Sequence, residues 1–240
     1  MYVNAAFGLT LLSTGTYQSE RLMTTLFTEL VRKGTTVVDI GAYVGYYTLL
    51  AAKATGNLGK VFCFEPEASN YALLLKNIEV NNYNNVVPVQ KAVTNRTGMA
   101  RLFIAESPSG HSTVCGNPNQ QAIMVDCTTL DDFFSGREYP IRVIKIDVEG
   151  AEMTVLEGMN NIISKNKQLN IFTEFSPVAL KIARCSPEEY FRKLTNYGFD
   201  IYLIDETKQS LEQADLDRIL KVCEKMEYVN LLCQKGQIGL

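Results

Sequence analysis

The sequence has little of what metal or disulfide frameworks require, and it contains no long hydrophobic run. Among its 240 residues there is one histidine, and the six cysteines are scattered without a C-x-x-C pair. Zinc sites depend on such spacings, so we expect reduced, mostly packed thiols. No apolar stretch approaches the roughly 18 residues of a membrane-spanning helix, and the first residues lack the basic start of a signal peptide. We therefore expect a cytoplasmic protein without a membrane partner.

An excess of charge of one sign is also missing. The 23 Lys and Arg residues against 26 Asp and Glu residues give a formal net charge of −3. Binding to many nucleic acid phosphates needs a concentrated basic face, so nucleic acid is not an expected partner. A content of 46% hydrophobic and 20% charged residues is typical of a soluble globular protein, which excludes disorder and collagen-like structure.

Short apolar runs alternate with amphipathic segments along most of the chain. Strands separated by helices indicate parallel crossovers, so the expected fold class is α/β, with a doubly wound, mostly parallel sheet. We expect one domain over residues 1–240, which begins with a helical segment within 1–33. Seven core strands are predicted at 36–40, 60–64, 86–91, 142–146, 169–175, 199–204 and 228–233, and helices at 19–32, 46–54, 67–80, 149–164, from Ser186 to Gly198, and 211–226.

Residues 98–127 interrupt this alternation. Two short strands at 99–104 and 122–127 flank a loop rich in Ser, Gly, Pro and Asn. This pattern predicts a short antiparallel insertion before the fourth core strand. Because long loops in compact domains are often functional, we expect the insertion to act as a lid.

Four acidic residues lie at the ends of predicted core strands. Asp39, Glu65, Asp147 and Glu174 end the first, second, fourth and fifth of them. Ligands of open α/β sheets bind outside the carboxyl ends of the strands. A carboxylate there must be solvated, hydrogen-bonded or paired, so four at one edge predict a polyhydroxyl or cationic ligand.

The turn after the first strand indicates which cofactor is bound. Asp39 to Gly45 has the pattern D-x-G-x-x-x-G, not the G-x-G-x-x-G that places a pyrophosphate at a helix N-terminus. S-adenosylmethionine has no phosphate and needs only close backbone approach, which Gly41 and Gly45 permit. Glu65 follows Gly41 by 24 residues, where an acid accepts hydrogen bonds from ribose hydroxyls. The turn therefore favours S-adenosylmethionine over NAD.

The segment from Ile144 to Glu152 is the densest in reactive side chains. Lys145 and Asp147 point to one face of their strand, and a lysine within a central parallel strand is anomalous. An internal ion pair is the favoured interpretation, and a charge that orients Asp147 towards acceptor or cofactor is the alternative. Glu149 and Glu152 are expected only to complement the dipole of the following helix.

The insertion carries the single histidine, His111. A lone loop histidine is more often a solvated bystander, but its ordinary pKa makes it the natural general-base candidate. Ser112 beside it and Glu174 are candidates for contact with the acceptor. Asp147 and Glu174 lack an obvious third ligand for Mg²⁺, so we predict metal independence.

The motifs above are similar to those of FkbM-type S-adenosylmethionine-dependent methyltransferases. The similarity runs from about Gly34 to Phe199, and it is anchored by VVDIGAYVGYYTLLA at 37–51 and IKIDVEGAE at 144–152. It implies a Rossmann-like, class I methyltransferase fold with seven strands, the last antiparallel, and methyl transfer, usually to oxygen. The implied contacts are the turn Asp39, Gly41, Tyr43 and Gly45 for the methionine portion, Glu65 for the ribose, the Ala92 backbone for the adenine, and Asp147 and Val148 near the reactive methyl.

The sequence thus predicts a methyltransferase of specialised metabolism that acts on the hydroxyl or carboxylate of a small molecule or peptide natural product. Asp147, Lys145 and His111 are its candidates for aligning the acceptor and removing a proton. The family commonly has Asn where this chain has Tyr43. Two other functions stay open: an NAD-dependent oxidoreductase, disfavoured by the turn spacing, and a non-catalytic binding domain with the same fold.

Overall fold

A central eight-stranded sheet and a separate three-stranded sheet organise the chain. The computed structural model describes residues 20–104, 112–116, 119–137 and 139–236. The strands are β1 Thr36–Ile40, β2 Lys60–Phe64, β3 Val86–Val89, β4 Ala92–Val93, β5 Gly98–Phe103, β6 Ala122–Thr128, β7 Ile141–Ile146, β8 Leu169–Phe175, β9 Asp200–Asp205, β10 Ser210–Gln213 and β11 Val229–Lys235. The order is β10-β9-β11-β8-β7-β1-β2-β3 in the large sheet and β4-β6-β5 in the small one.

Helices follow most of the strands. They are α1 Arg21–Leu30, α2 Tyr46–Thr55, α3 Ala68–Val80, α4 Leu130–Phe133, α5 Glu152–Glu157, α6 Asn160–Lys165, α7 Pro177–Ile182, α8 Pro187–Asn196 and α9 Leu216–Cys223. The start of α8 is a complete capping box, in which Ser186 and Glu189 each accept the other's backbone N–H. Among the described residues, no helix has both the length and the apolar character needed to cross a membrane.

The strand pairing confirms the expected fold class. Strands β3, β2, β1, β7 and β8 are parallel, while β11 is antiparallel to both of its neighbours, β8 and β9. From β1 the chain builds one side of the sheet through β2 and β3, then crosses to β7 and builds the other side. The β1/β7 boundary is therefore the topological switch point, where ligands of such sheets bind.

Both faces of the sheet are covered. Val38 packs in one apolar cluster, which includes Leu156 of α5, whereas Val37 packs in another with Phe27 of α1 and Ala51 of α2. Alternate residues of β1 thus enter two different cores, as expected for a doubly wound sheet. All six cysteines are free thiols, as predicted, and four of them are buried.

Two predicted helices were wrong in part. Residues 211–213 belong to β10, which pairs with β9 as an eighth, edge strand, and α9 begins only at Leu216 behind its N-cap Asp215. The predicted helix at 149–164 is divided into α5 and α6 at Gly158. A Cβ on Gly158 would lie 2.1 Å from the carbonyl oxygen of Thr94. The helix is thus interrupted at a point where the two backbones touch and only glycine fits.

The insertion has the predicted antiparallel form. β5 and β6 pair from Gly98 opposite Cys127 to Phe103 opposite Ala122, and β4 adds to β6 in parallel. Thr113 then pairs with Phe103 and leads the chain back towards the end of β7.

Candidate functional site

A cavity of about 460 Å³ lies over the carboxyl ends of β1, β2, β7 and β8. Its volume is typical of small-molecule pockets, and its position is the switch point of the sheet. Gly45 begins α2 outside the lining, and His111 lies outside the described residues. The sequence-predicted residues that line the cavity are Asp39, Gly41, Tyr43, Glu65, Ala92, Ser112, Lys145, Asp147, Val148 and Glu174.

The turn after β1 is pressed against the end of β7. Gly41 has φ +79°, and a Cβ there would lie 1.8 Å from the carbonyl oxygen of Asp147. The amides of Gly41 and Ala42 donate to the carbonyl of Phe64 over 3.0 and 2.9 Å. Gly41 was predicted to permit close approach of a cofactor, and its position against the backbone of Asp147 is a second reason for a glycine here.

Tyr43 occupies the left-handed region in the middle of this turn, with φ +51°. Asn adopts this conformation more readily than Tyr, which gives a physical reason for the Asn that is common there in the family. The Tyr43 amide still donates to Glu65 Oε2 over 2.9 Å. The departure from the family pattern therefore leaves the backbone role of this position intact.

Glu65 joins the turn to the end of β2. Its carboxylate is 6% exposed and accepts the amides of Tyr43 and Glu67, each at 2.9 Å. Burial raises the pKa of Glu65 to about 7, although the two amide donors lower it in part. An ionised carboxylate offers about four acceptor positions, so Glu65 keeps some for a ligand in the cavity.

Lys145 and Asp147 form the predicted ion pair. Lys145 is 4% exposed, and its Nζ lies 2.7 Å from Asp147 Oδ2, while the Asp147 side chain stays 36% exposed towards the cavity. Burial alone would lower the pKa of Lys145, but the carboxylates of Asp147, Asp39 and Glu20 outweigh it and raise that pKa. The lysine is therefore a fixed positive charge beneath the cavity.

Two further carboxylates, those of Asp39 and Glu20, act on this lysine through their charge. Asp39 accepts a 2.6 Å hydrogen bond from Thr48 at Oδ2, but its buried Oδ1 has no hydrogen-bond partner among the described residues. Glu20 was missed by the sequence argument, because it lies before α1 in no motif. Only the fold brings it to the cavity lining.

A second group of acids stands at the ends of β7 and β8. Asp147, Glu149 and Glu174, the acidic triad, each offer an oxygen within 4.8 Å of the others. Burial, together with the charges of Asp147 and Glu149, raises the pKa of Glu174. The prediction that Glu149 complements the dipole of the following helix was wrong, because α5 begins only at Glu152. We predicted metal independence because Asp147 and Glu174 had no obvious third oxygen ligand. The structure places Glu149 beside them as that third candidate.

Glu152, by contrast, stabilises the loop after β7. It is 2% exposed at the start of α5 and accepts the amides of Gly150 and Val148 over 3.1 and 3.3 Å. It thus holds the loop that carries Asp147 and Glu149.

The insertion reaches the cavity at its β7 end. Thr113 Oγ1 donates to the carbonyl of Val148 over 3.0 Å, and Ser112, Thr113 and Val114 line the cavity. The described part of the insertion therefore shares the cavity lining with Glu174, the other candidate for contact with the acceptor.

Comparisons with known proteins find methyltransferases among the relatives of this chain. The chain is 26% identical over 148 residues to methyltransferase 1 of Beauveria bassiana, covering 52% of this chain and 58% of that protein. It is 24% identical over 126 residues to the hexuronic acid methyltransferase AglP of Haloferax volcanii, covering 52% of this chain and 50% of that protein. The chain thus spans only about half the length of these curated relatives.

A solved structure shares the fold. The putative rRNA methylase of Clostridium thermocellum superimposes with a TM-score of 0.54 at 13% identity, covering 92% of this chain and 97% of that one. The model of the FkbM methyltransferase domain matches residues 39–201, which include every strand end that lines the cavity. The resemblance predicted from the motifs is therefore confirmed, and the chain belongs to the FkbM methyltransferase domain family of S-adenosylmethionine-dependent enzymes.

Proposed function

We propose that this chain transfers a methyl group from S-adenosylmethionine to a hydroxyl oxygen of a small-molecule or peptide acceptor. The observation that carries the proposal is the cavity at the switch point. There the family's turn, Glu65 and Asp147 meet in one space.

The residues at one end of the cavity fit the cofactor. Glu65 has acceptor positions left for ribose hydroxyls, and the buried carboxylate of Asp39 places an acidic group beside the space for the cofactor's ammonium group. The Ala92 backbone, also in the lining, would contact the adenine. When bound, S-adenosylmethionine supplies a methyl group that its sulfonium already activates.

The other end of the cavity fits a hydroxyl acceptor. Asp147 is held by Lys145 at one oxygen and remains accessible, so its carboxylate can receive the acceptor's proton. Ser112, Glu174 and His111 are proposed acceptor contacts. The Asp147 carboxylate would repel a carboxylate acceptor, so an ether product is favoured over a methyl ester. Glu174 adds no repulsion, because burial and the neighbouring charges raise its pKa to about 10 and keep it neutral. The Haloferax relative is named for a hexuronic acid, a sugar with both hydroxyl and carboxylate groups, so sugars of both kinds belong among the acceptors to be tested.

Binding and transfer are tested separately. Calorimetry with S-adenosylmethionine and S-adenosylhomocysteine tests the cofactor end. Tritium transfer from methyl-labelled S-adenosylmethionine to a panel of neutral sugars, hexuronic acids and phenols tests the acceptor end. Binding of neither adenosyl compound would favour a non-catalytic domain, and a nicotinamide absorbance change would favour an oxidoreductase.

Cofactor affinity is expected to rise with pH through the titration of Glu65. Its pKa of about 7 means that the ionised, strongly accepting form becomes dominant between pH 6 and pH 8. Glu65→Gln should weaken binding at pH 8 by about one to two decades, the loss of a charge-assisted hydrogen bond of roughly 1.5–3 kcal/mol, and should remove the pH dependence. Calorimetry across this range measures both effects.

The matched control is Glu79→Gln, which changes an exposed carboxylate of α3 outside the cavity lining. The direction in which the stability of the cofactor-free protein changes with pH gives a second check. Since folding raises the pKa of Glu65 from 4.5 to about 7, its stabilising contribution is present below pH 4.5 and is lost as pH rises through 7. A pH-independent affinity in the unmodified protein would remove Glu65 from the ribose site.

Turnover is expected to survive chelation of divalent metal. Lys145 already occupies Asp147 Oδ2, so a cation in the acidic triad would face the ammonium group at close range. The measurement is tritium transfer before and after EDTA, followed by added Mg²⁺. Activity lost to EDTA and restored by Mg²⁺ would contradict the prediction, and Glu149→Gln should then abolish activity as well.

A further inference from the structure

Glu20 connects three elements at the floor of the cavity. Its carboxylate accepts a 2.8 Å hydrogen bond from the Tyr47 hydroxyl of α2 and a 3.1 Å bond from Asn230 Nδ2 of β11. Glu20 is 9% exposed and immediately precedes α1. Burial of an unpaired carboxylate costs free energy of folding. The two donors and the positive charge of Lys145 offset this cost for Glu20.

Tyr47 links Glu20 to Lys145 and Asp147, at the end of the cavity where the acceptor is proposed to bind. Its ring lies under the ammonium of Lys145, with Nζ 4.8 Å from the ring centroid. On its other side the same ammonium lies 2.7 Å from Asp147 Oδ2. A lysine side chain is long and rotates freely, and its position here is set by an aromatic face and a carboxylate together.

We propose that Glu20 is a positioning residue of the methyl-transfer site: by fixing Tyr47 it holds the Lys145 ammonium, which in turn aims the Asp147 carboxylate at the acceptor. The inference rests on the proposed function, in which Asp147 receives the acceptor's proton. The effect of Glu20 passes through two side chains, each of which can be altered separately.

Alternative explanations for Glu20 can be separated from this one. A purely structural role would anchor the start of α1. That start, however, has another anchor, since Glu206 accepts the amides of Leu22 and Met23 over 2.9 and 2.8 Å. Glu206 lies outside the cavity lining, so Glu206→Ala is the matched structural control.

The experiment compares Glu20→Ala, Tyr47→Phe and Glu206→Ala, using the acceptor with the highest turnover in the panel. Glu20→Ala and Tyr47→Phe remove the same hydrogen bond from opposite sides. Each should lower kcat about tenfold, a moderate cost for a misplaced reacting group, with the acceptor KM and the S-adenosylmethionine Kd changed less than about twofold. Glu206→Ala should lower the Tm and leave kcat unchanged.

Coupling to Asp147 is the decisive readout. In an Asp147→Asn background, Glu20→Ala should lower kcat no further, because the group that it positions is gone. Heteronuclear NMR of the lysine ammonium groups, with Lys145 assigned from its loss in Lys145→Met, should show faster hydrogen exchange at Lys145 in both Glu20→Ala and Tyr47→Phe. This second readout needs no acceptor.

Three results would overturn the inference: unchanged kcat in Glu20→Ala, an equal fall in Glu206→Ala, or full additivity with Asp147→Asn. Failure of the proposed function looks different. In that case Asp147→Asn itself keeps full turnover, whatever Glu20→Ala does.

Discussion

Asp147→Asn is expected to lower turnover by about two to four decades, the usual contribution of a positioned general base. Asn keeps the shape of the side chain but cannot accept the acceptor's proton. The cofactor lies against the turn and Glu65 in the proposed arrangement, so its affinity should change less than about threefold, a difference below roughly 1 kcal/mol. Tritium transfer with the best panel acceptor measures the first quantity, and calorimetry the second.

Stability must be followed in the same variant. Asp147→Asn leaves the ammonium of Lys145 without its direct partner in a site where it is 4% exposed. Asp147 itself is about a third exposed, so solvent replaces part of the lost interaction and the cost is smaller than for a fully buried pair. A folded variant with full turnover on a neutral sugar would contradict the prediction.

The nature of the acceptor changes the expected result. A carboxylate acceptor is already ionised and needs no base, so full turnover of Asp147→Asn confined to a hexuronic acid would indicate methyl ester formation. His111 can be tested with the same assay. It lies outside the described residues, and its role as a base stays a prediction.

The clustering of Asp39, Gly41, Tyr43 and Glu65 in one cavity was predictable, because these residues are close in sequence or lie at successive strand ends. Gly41 and Tyr43 follow Asp39 directly, and Glu65 ends the next strand, so the parallel sheet alone brings them together. The Lys145–Asp147 pair follows from the two-residue repeat of a strand. In each case the pattern needs knowledge of only one or two elements.

The remaining features depend on contacts between distant segments. Glu20 and its partner Asn230 are 210 residues apart, and no local pattern marks either of them. Glu149, predicted as helical, lies outside the helix because Glu149 and Gly150 both adopt a positive φ, +55° and +97°, before α5 begins. Gly158 lies against the backbone of Thr94, which leaves no space for a Cβ between the two short helices. Such contacts are set by tertiary packing, which a single sequence does not display.

The second large effect, a loss of cofactor affinity, is expected from a substitution in the turn after β1. Gly41→Ala is expected to weaken S-adenosylmethionine binding at least about a hundredfold, roughly 2.7 kcal/mol, and to lower the Tm. Two causes combine: the left-handed φ of +79° disfavours any side chain, and the new Cβ would lie 1.8 Å from the carbonyl oxygen of Asp147. The backbone must move, and the move separates the turn from the end of β7.

Gly198→Ala separates these two causes. Gly198 has nearly the same conformation, φ +80°, but a Cβ there meets nothing within 4 Å. This variant should carry only the backbone strain, about 1 kcal/mol, and should bind S-adenosylmethionine like the unmodified protein. Calorimetry and thermal unfolding of the two variants side by side decide the matter. If Gly41→Ala binds the cofactor as tightly as Gly198→Ala, the contact between the turn and Asp147 does not shape the cofactor site.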